Sequence, residues 1–485
     1  MMFRRVPIVL FAISLFSAVS THGRVTIRWQ DNSTNEQGFH VERALGGGAF
    51  SRLASVGTNV TTFTDNSLLA GIVYRYRVRA YNAAGSSAYS NIVIHDSSGA
   101  LVSPDLVVLR DQTLSSTKSS VSLSLQSVGT STSSGNRASE LVIVASSSNP
   151  ELVPHPEVRG PSTTSSQPSL LIKRAGGKHG SATITVAATN GQSVSYQRFT
   201  VTVAAPSAGG TTEVRPEAAR TQLNARLVNV SARAIAGSDA KNVVLGFNLT
   251  GQRSSVLLRA AGPGLSSFVG STAMPDPILS LFRGNLLLDE NQDWESAPGL
   301  SGAVNAVGAF PFKTSSRDAG LLQSLAPGSY TAQVRSANSK GLVLAELYHV
   351  DWESARPGRL SNLSCRADID GAEGGLIIGF TIRGSSALPL LLRAVGRSLM
   401  EFGVDGVITN PRLALYRGQD RIAVAEDFEL KPELIEAGYA VGGFPLTHLS
   451  DAATLLTLEP GTYTVQISGA NGKGGVVLAE LYELP

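Results

Sequence analysis

"SSVLLRAAGPGLSSF", Ser254–Phe268, returns as "ALPLLLRAVGRSLMEF", Ala387–Phe402. Each stretch runs through leucines to an arginine, then a glycine, then a short segment ending in phenylalanine. The flanks repeat as well. "RLVNVSARA" at Arg226 becomes "RLSNLSCRA" at Arg359, and "VLGFNLTG" at Val244 becomes "IIGFTIRG" at Ile377. "PILSLFRGN" at Pro277 matches "PRLALYRGQ" at Pro411, "VGAFPF" at Val307 matches "VGGFPL" at Val441, and "LAPGSYTAQV" at Leu325 matches "LEPGTYTVQI" at Leu458. "GLVLAELYHV" at Gly341 closes the first copy as "GVVLAELYEL" at Gly475 closes the second. Solenoid repeats have periods of about 20–50 residues. An offset of 133 or 134 is therefore a duplicated domain, at 225–350 and 359–485. Either copy is long enough to close a core of its own.

Inside a copy the apolar alternation spells strand, turn, strand. One helical insertion is expected, at "APGLSGAVNAVGAF" and "LKPELIEAGYAVGGF". A jelly-roll-like sandwich accommodates that pattern.

A further 224 residues precede the copies, in a chain of 485 with net charge +3. So balanced a charge argues against a general nucleic-acid or membrane-surface binder. Cys365 is the only cysteine, which excludes an intramolecular disulfide and a cysteine metal cluster. Its counterpart in the first copy is Ala232, as suits a small core position. Arg4 and Arg5, the apolar "VPIVLFAISLF" and the small residues Ala18-Val19-Ser20 read as a secretory signal over 1–22. No later apolar run approaches the roughly 18 residues of a membrane span, so none is expected once the signal is removed. The alternative makes "SLFSAVSTHG" the first strand of the next domain, with Leu15 in its core.

Residues 23–96 alternate apolar and polar through "RVTIRWQ", "GFHVERA" and "VYRYRVRAY". The early Trp29, the Leu68-to-Tyr74 spacing and the ending "RVRAYNAAGSSAYS" resemble a fibronectin type III domain, with Trp29 and Tyr74 as core residues and a tyrosine corner. Residues 100–205 hold strand-like runs such as "SVSLSLQSV", "ELVIVASSS" and "SATITVAATN". Through "SSSNPELVP" and "GSATITVAATNGQ" this piece resembles the immunoglobulin- and cadherin-like modules of bacterial surface proteins. Exposed linkers are expected at 206–224 and 351–358. The copies themselves resemble a tandem C-terminal module of exported bacterial proteins. They are more distantly similar to the bacterial pre-peptidase C-terminal domain, through an Asp-aromatic loop followed by the Pro-Gly-x-Tyr turn. These resemblances imply an all-β string of about four sandwiches.

Arg259 shares a strand face with Leu257 and Ala261, and Glu346 shares one with Leu344 and Tyr348; the second copy keeps Arg393 and Glu480. Opposite charges retained inside apolar runs suggest neutralisation, Arg259 by Glu346 and Arg393 by Glu480, since an isolated buried charge is costly. Independent solvent-facing charges are the competing reading. No cofactor is expected, with calcium the one candidate ion: Asp289, Asp293 and Asp427 lie in acidic loops whose oxygens suit it. Solvated loops explain the same residues. Arg75, Arg77 and Arg79 form a row, with His40 and Glu42 on the neighbouring strand, that can meet an acidic glycan or face solvent. Trp294 is the aromatic candidate for sugar contact. The seven histidines are scattered without HExxH spacing, and no phosphate loop, nucleophile elbow or dinucleotide fingerprint occurs.

The sequence thus predicts a non-catalytic exported protein, secreted or on the cell surface, acting in adhesion, scaffolding or protein–protein interaction. Its partner would be a surface protein or glycan, not nucleic acid. The alternative is a carbohydrate-binding accessory protein, or a non-catalytic fragment of an extracellular polysaccharide-degrading enzyme.

Overall fold

The computed structural model describes residues 15–21, 24–125, 142–205 and 225–485, apart from 30, 32, 34, 46–49, 69–72, 91, 97–103, 105, 107, 116–117, 161–167, 190–192, 239–240, 337–338, 355–357, 371–374 and 471. The expected linker at 206–224 and the basic start of the expected signal lie outside the described residues. Strands take up 56% of the described residues and helices 10%, so the class is all-β. Two compact units form, one of Met1–Ala205 with Ser398–Asp405, the other of Pro206–Arg397 with Gly406–Pro485.

The first unit begins with a sandwich of β1 (Leu15–Thr21), β2 (Arg24–Trp29), β3 (Gly38–Leu45), β4 (Ser51–Gly57), β5 (Thr62–Asp65), β6 (Val73–Asn82), β7 (Gly85–Ser86) and β8 (Val93–Asp96). One sheet runs β1-β2-β5; the other runs β4-β3-β6, with β7 and β8 on β6. That order suits a fibronectin type III or immunoglobulin-like module. Residues 15–21 pair antiparallel with β2, Leu15 opposite Trp29. A second sandwich follows: β9 (Gln112–Leu114), β10 (Ser120–Ser124), β11 (Val142–Ser147), β12 (Glu157–Arg159), β13 (Ser169–Lys173), β14 (Gly180–Thr189) and β15 (Val194–Val203). Its sheets are β10-β13-β12 and β11-β14-β15-β9, around a core that includes Leu170, Ile172, Ile184, Val186 and Phe199.

In the second unit the first copy supplies β16 (Arg226–Ala236), β17 (Val243–Thr250), β18 (Ser254–Ala261), α1 (Ser266–Val269), β19 (Ile278–Arg283), β20 (Leu286–Asn291), α2 (Leu300–Val307), β21 (Ala319–Leu325), β22 (Gly328–Arg335) and β23 (Gly341–His349). The second supplies β24 (Arg359–Ile369), β25 (Leu376–Arg383), β26 (Leu388–Val395), β27 (Pro411–Arg417), β28 (Asp420–Ala425), α3 (Pro432–Ala440), β29 (Ala452–Leu458), β30 (Gly461–Gly469) and β31 (Gly475–Glu483). Within a copy the strands order as first, eighth, third, sixth in one sheet and second, seventh, fourth, fifth in the other. This is jelly-roll order, all antiparallel.

The copies are not independent sandwiches, which corrects the expectation that each closes its own core. β16 pairs with its own β23 on one side and with β25 of the other copy on the other. β24 likewise pairs with its own β31 and with β17 of the first copy. The result is two continuous rows, β21-β18-β23-β16-β25-β30-β27-β28 and β29-β26-β31-β24-β17-β22-β19-β20, bridged at Leu227 and Leu360. One core cluster holds residues of both copies, from Leu227 and Leu258 to Leu392 and Leu481. Cys365 lies in it, with burial pushing its thiol up to about 12. The physical reason is edge exposure. In a jelly roll the first and second strands end their sheets, leaving open ladders. Each copy covers the other's.

The antiparallel order fixes which loops share an end. β16 and β24 run the same way, so both helical insertions fall at one end of the unit. The short turns at 284–285, 326–327, 418–419 and 459–460 fall at the other.

Candidate functional site

The arginine of the opening motif sits on the outer face of its sheet, beneath the helical insertion. Val256, Leu258 and Ala260 point into the shared core, while Leu257 meets Leu300, Ala303 and Val304 of α2. Arg259, fully buried, stands opposite Glu346 on β23, Nη1 2.9 Å from Oε2. Its Nη2 donates to the Phe310 carbonyl at 2.7 Å, and the guanidinium lies 4.5 and 4.1 Å from the rings of Phe310 and Phe312. The Tyr348 hydroxyl donates to Glu346 Oε1 at 2.7 Å. Burial raises the Glu346 carboxyl, and the Arg259 charge and the Tyr348 hydroxyl only partly offset it.

The second copy repeats the arrangement. Arg393 Nε is 2.8 Å from Glu480 Oε2, Nη1 donates to the Phe444 carbonyl at 2.8 Å, and the Tyr482 hydroxyl donates to Glu480 at 2.7 Å. Leu446 stands where the first copy has Phe312. The charges are therefore paired and buried, not independent and solvent-facing.

A second anchor escaped the sequence reading. Asp318 and Asp451 are fully buried at the start of β21 and β29. Asp318 Oδ1 accepts the amides of Gly262 at 2.7 Å and Gly264 at 3.0 Å; Asp451 Oδ1 accepts that of Gly396 at 2.7 Å. The glycine after each arginine is there for room. A Cβ on Gly262 would lie 2.3 Å from the Met274 carbonyl oxygen, and on Gly396 2.1 Å from that of Ile408. "SRDAG" and "LSDAA" repeat the aspartate between the copies, which was the available signal.

The remaining candidates disperse. Asp289 accepts from Gln323 Nε2 at 2.6 Å and from the Glu290 amide at 2.9 Å, while Asp293 and Asp427 are exposed. Among the described residues no three His, Cys, Asp or Glu side chains gather as a metal would need. Trp294 is half-buried, its ring 5.9 Å from Phe312 and its Nε1 donating to the Lys313 carbonyl at 3.3 Å. It packs with Phe310 and Phe312 in the cap over Arg259.

In the first unit Trp29 and Tyr74 lie in the core with Phe39 and Val41. Arg77 and Arg79 share Glu42, at 2.7 and 3.0 Å, and Tyr89 donates to the same carboxylate at 3.0 Å. Burial opposes the Glu42 charge, but Arg77, Tyr89 and Arg79 outweigh it and hold the carboxyl below its usual value. Arg75 lies over the Phe50 ring at 5.2 Å and Arg77 at 4.1 Å. One carboxylate thus pairs with two of the three arginines, and the row stacks on aromatic rings of the protein itself. Also missed was Asp65, which accepts from Arg43 at 2.7 Å and from the Tyr76 hydroxyl at 2.8 Å.

No family model matches the chain, nor does any curated protein. Among solved structures it is similar to pectate lyase PelI from Erwinia chrysanthemi in complex with tetragalacturonic acid, at 18% identity, 22% of this chain, 34% of that one and TM-score 0.18. The twitchin kinase region from C. elegans gives 20%, 22%, 21% and 0.17. The chicken CNTN1 FN1-FN3 domains give 9%, 72%, 97% and 0.15. The chain spans about a third of the pectate lyase structures it matches. The fold assignment rests on the strand order and pairing above.

Proposed function

We propose that this chain is a non-catalytic, exported scaffold acting in adhesion or protein–protein interaction at the cell surface. The observation that carries this reading is the fate of the duplicated polar residues. Arg259, Glu346 and Asp318, like Arg393, Glu480 and Asp451, are spent on one another and on backbone groups. Their work is to clamp the insertion and the glycine turn onto the sheet. A body built by fusing two jelly rolls along their open edges suits a stiff spacer. Among the described residues no helix is long and apolar enough to cross a membrane.

Compartment is the premise to test. Protein recovered from the culture medium, or shaved from intact cells of the source organism, should begin near Thr21 on N-terminal sequencing. Removal of Leu15–Thr21 would leave β2 as the edge of its sheet, paired to β5 alone. Recovery only from the cytosol with residues 1–22 intact would overturn the exported reading.

A further inference from the structure

The junction between the copies is reciprocal and self-contained. Across it β16 meets β25 from Arg226↔Arg383 to Arg233↔Ile377, and β17 meets β24 from Val244↔Arg366 to Thr250↔Arg359. At both ladders a serine fills the space beside a glycine. A Cβ on Gly246 would lie 2.4 Å from Ser364 Oγ, and one on Gly379 would lie 2.7 Å from Ser231 Oγ.

The charges at the junction differ between the copies. Glu483, buried at the end of β31, accepts the Leu227 amide of the first copy at 2.8 Å and pairs with Arg359. Arg359 Nη2 in turn donates to the Ala225 carbonyl of the first copy at 2.8 Å. The matching position in the first copy is His349, buried and 3.2 Å from Asp351. Pairing two first copies would set Arg226 and the Leu227 amide against His349 and lose the buried carboxylate. Pairing a first with a second copy keeps it.

We propose that the same surface docks one chain onto another, the first copy of one molecule accepting the second copy of its neighbour in an exchanged dimer. Only residues 351–358 join the copies covalently. Nothing in the ladders or in the Glu483 contacts distinguishes a chain's own partner from another chain's. A short linker merely gives the intrachain partner an effective concentration on the order of mM. Dilute chains therefore close on themselves, and crowded or refolding chains exchange, as domain swapping needs no new interface.

Full-length chains test this in a Cys365→Ala background, a change that copies the alanine at Ala232. With Ser231→Cys and Gly379→Cys in one chain, oxidation should give a bridged monomer that migrates faster on a non-reducing gel. The two single variants are then unfolded, mixed, refolded at roughly 0.5 mM, near the linker's effective concentration, and oxidised. A covalent heterodimer should appear in the mixture, fall on dilution, and be absent when either variant is refolded alone. A bridged double variant combined with only monomer in the mixture at every concentration overturns the proposal. So does a folded double variant that never bridges, because the ladder itself would then be absent. Light scattering on the unmodified chain, refolded the same way, reads exchange without any substitution; monomer mass throughout is again fatal.

Discussion

Arg259 and Arg393 show what a charge costs inside a sheet and why the cost is accepted. Each guanidinium pairs with a carboxylate, donates to one carbonyl and lies against phenylalanine, yet Nε and Nη1 of Arg259 and Nε and Nη2 of Arg393 are buried without a hydrogen bond. Removing one partner of such a pair strands the other. Arg259→Met should therefore destabilise the tandem unit by about 3–5 kcal/mol, whereas Arg259→Met with Glu346→Leu should recover most of that loss. Urea unfolding of the two variants separates the cases; equal losses would show that the pair contributes only packing. Asp65 gives the opposite charge balance. Burial raises its carboxyl, but Ser67, Tyr76 and Arg43 outweigh burial and hold it below the usual value. Its stabilisation is thus present above the unfolded carboxyl range and is lost as pH falls through the lower folded value.

At the scale of elements, the segment between α3 and β29 carries a titration of its own. Burial, helped by Arg397, lowers His448 to about 4. A depressed imidazole binds its proton more weakly in the folded state than in the unfolded chain. Stability from this site is complete above pH 6.5 and drains as pH falls towards 4, at no more than about 1.4 kcal/mol per pH unit. His448→Gln should flatten the tandem unit's melting temperature over that window, and an unchanged pH slope would refute the assignment. Much of this level was legible in the sequence. Alternation put Leu257, Arg259 and Ala261 on one face, and the repeat paired each strand with its counterpart. Period two tells a residue's face but not its strand's neighbour. That is why the β16–β25 and β17–β24 ladders stayed hidden, although glycine within "VLGFNL" and "IIGFTI" marked where another strand comes close. Hydrogen bonds from loop to loop, such as Asp318 to Gly262, were invisible because periodicity says nothing about side chains reaching out of a strand.

For the whole molecule, duplication changes what counts as a domain. One copy presents four sheet edges, and a second copy closes the two formed by its first and second strands, so the folding unit is the pair and not the repeat. Cutting the chain between the copies should then leave the assembly standing. With a protease site in place of residues 354–358, the cleaved halves should co-elute on gel filtration at the volume of the uncut protein. Their thermal stability should become concentration-dependent, since an intramolecular contact with mM effective concentration has become a bimolecular one. The uncut protein should show no such dependence while it remains monomeric. Halves that separate and each keep a sharp unfolding transition would mean that a single jelly roll suffices, and that the shared sheets are a contact of two finished domains.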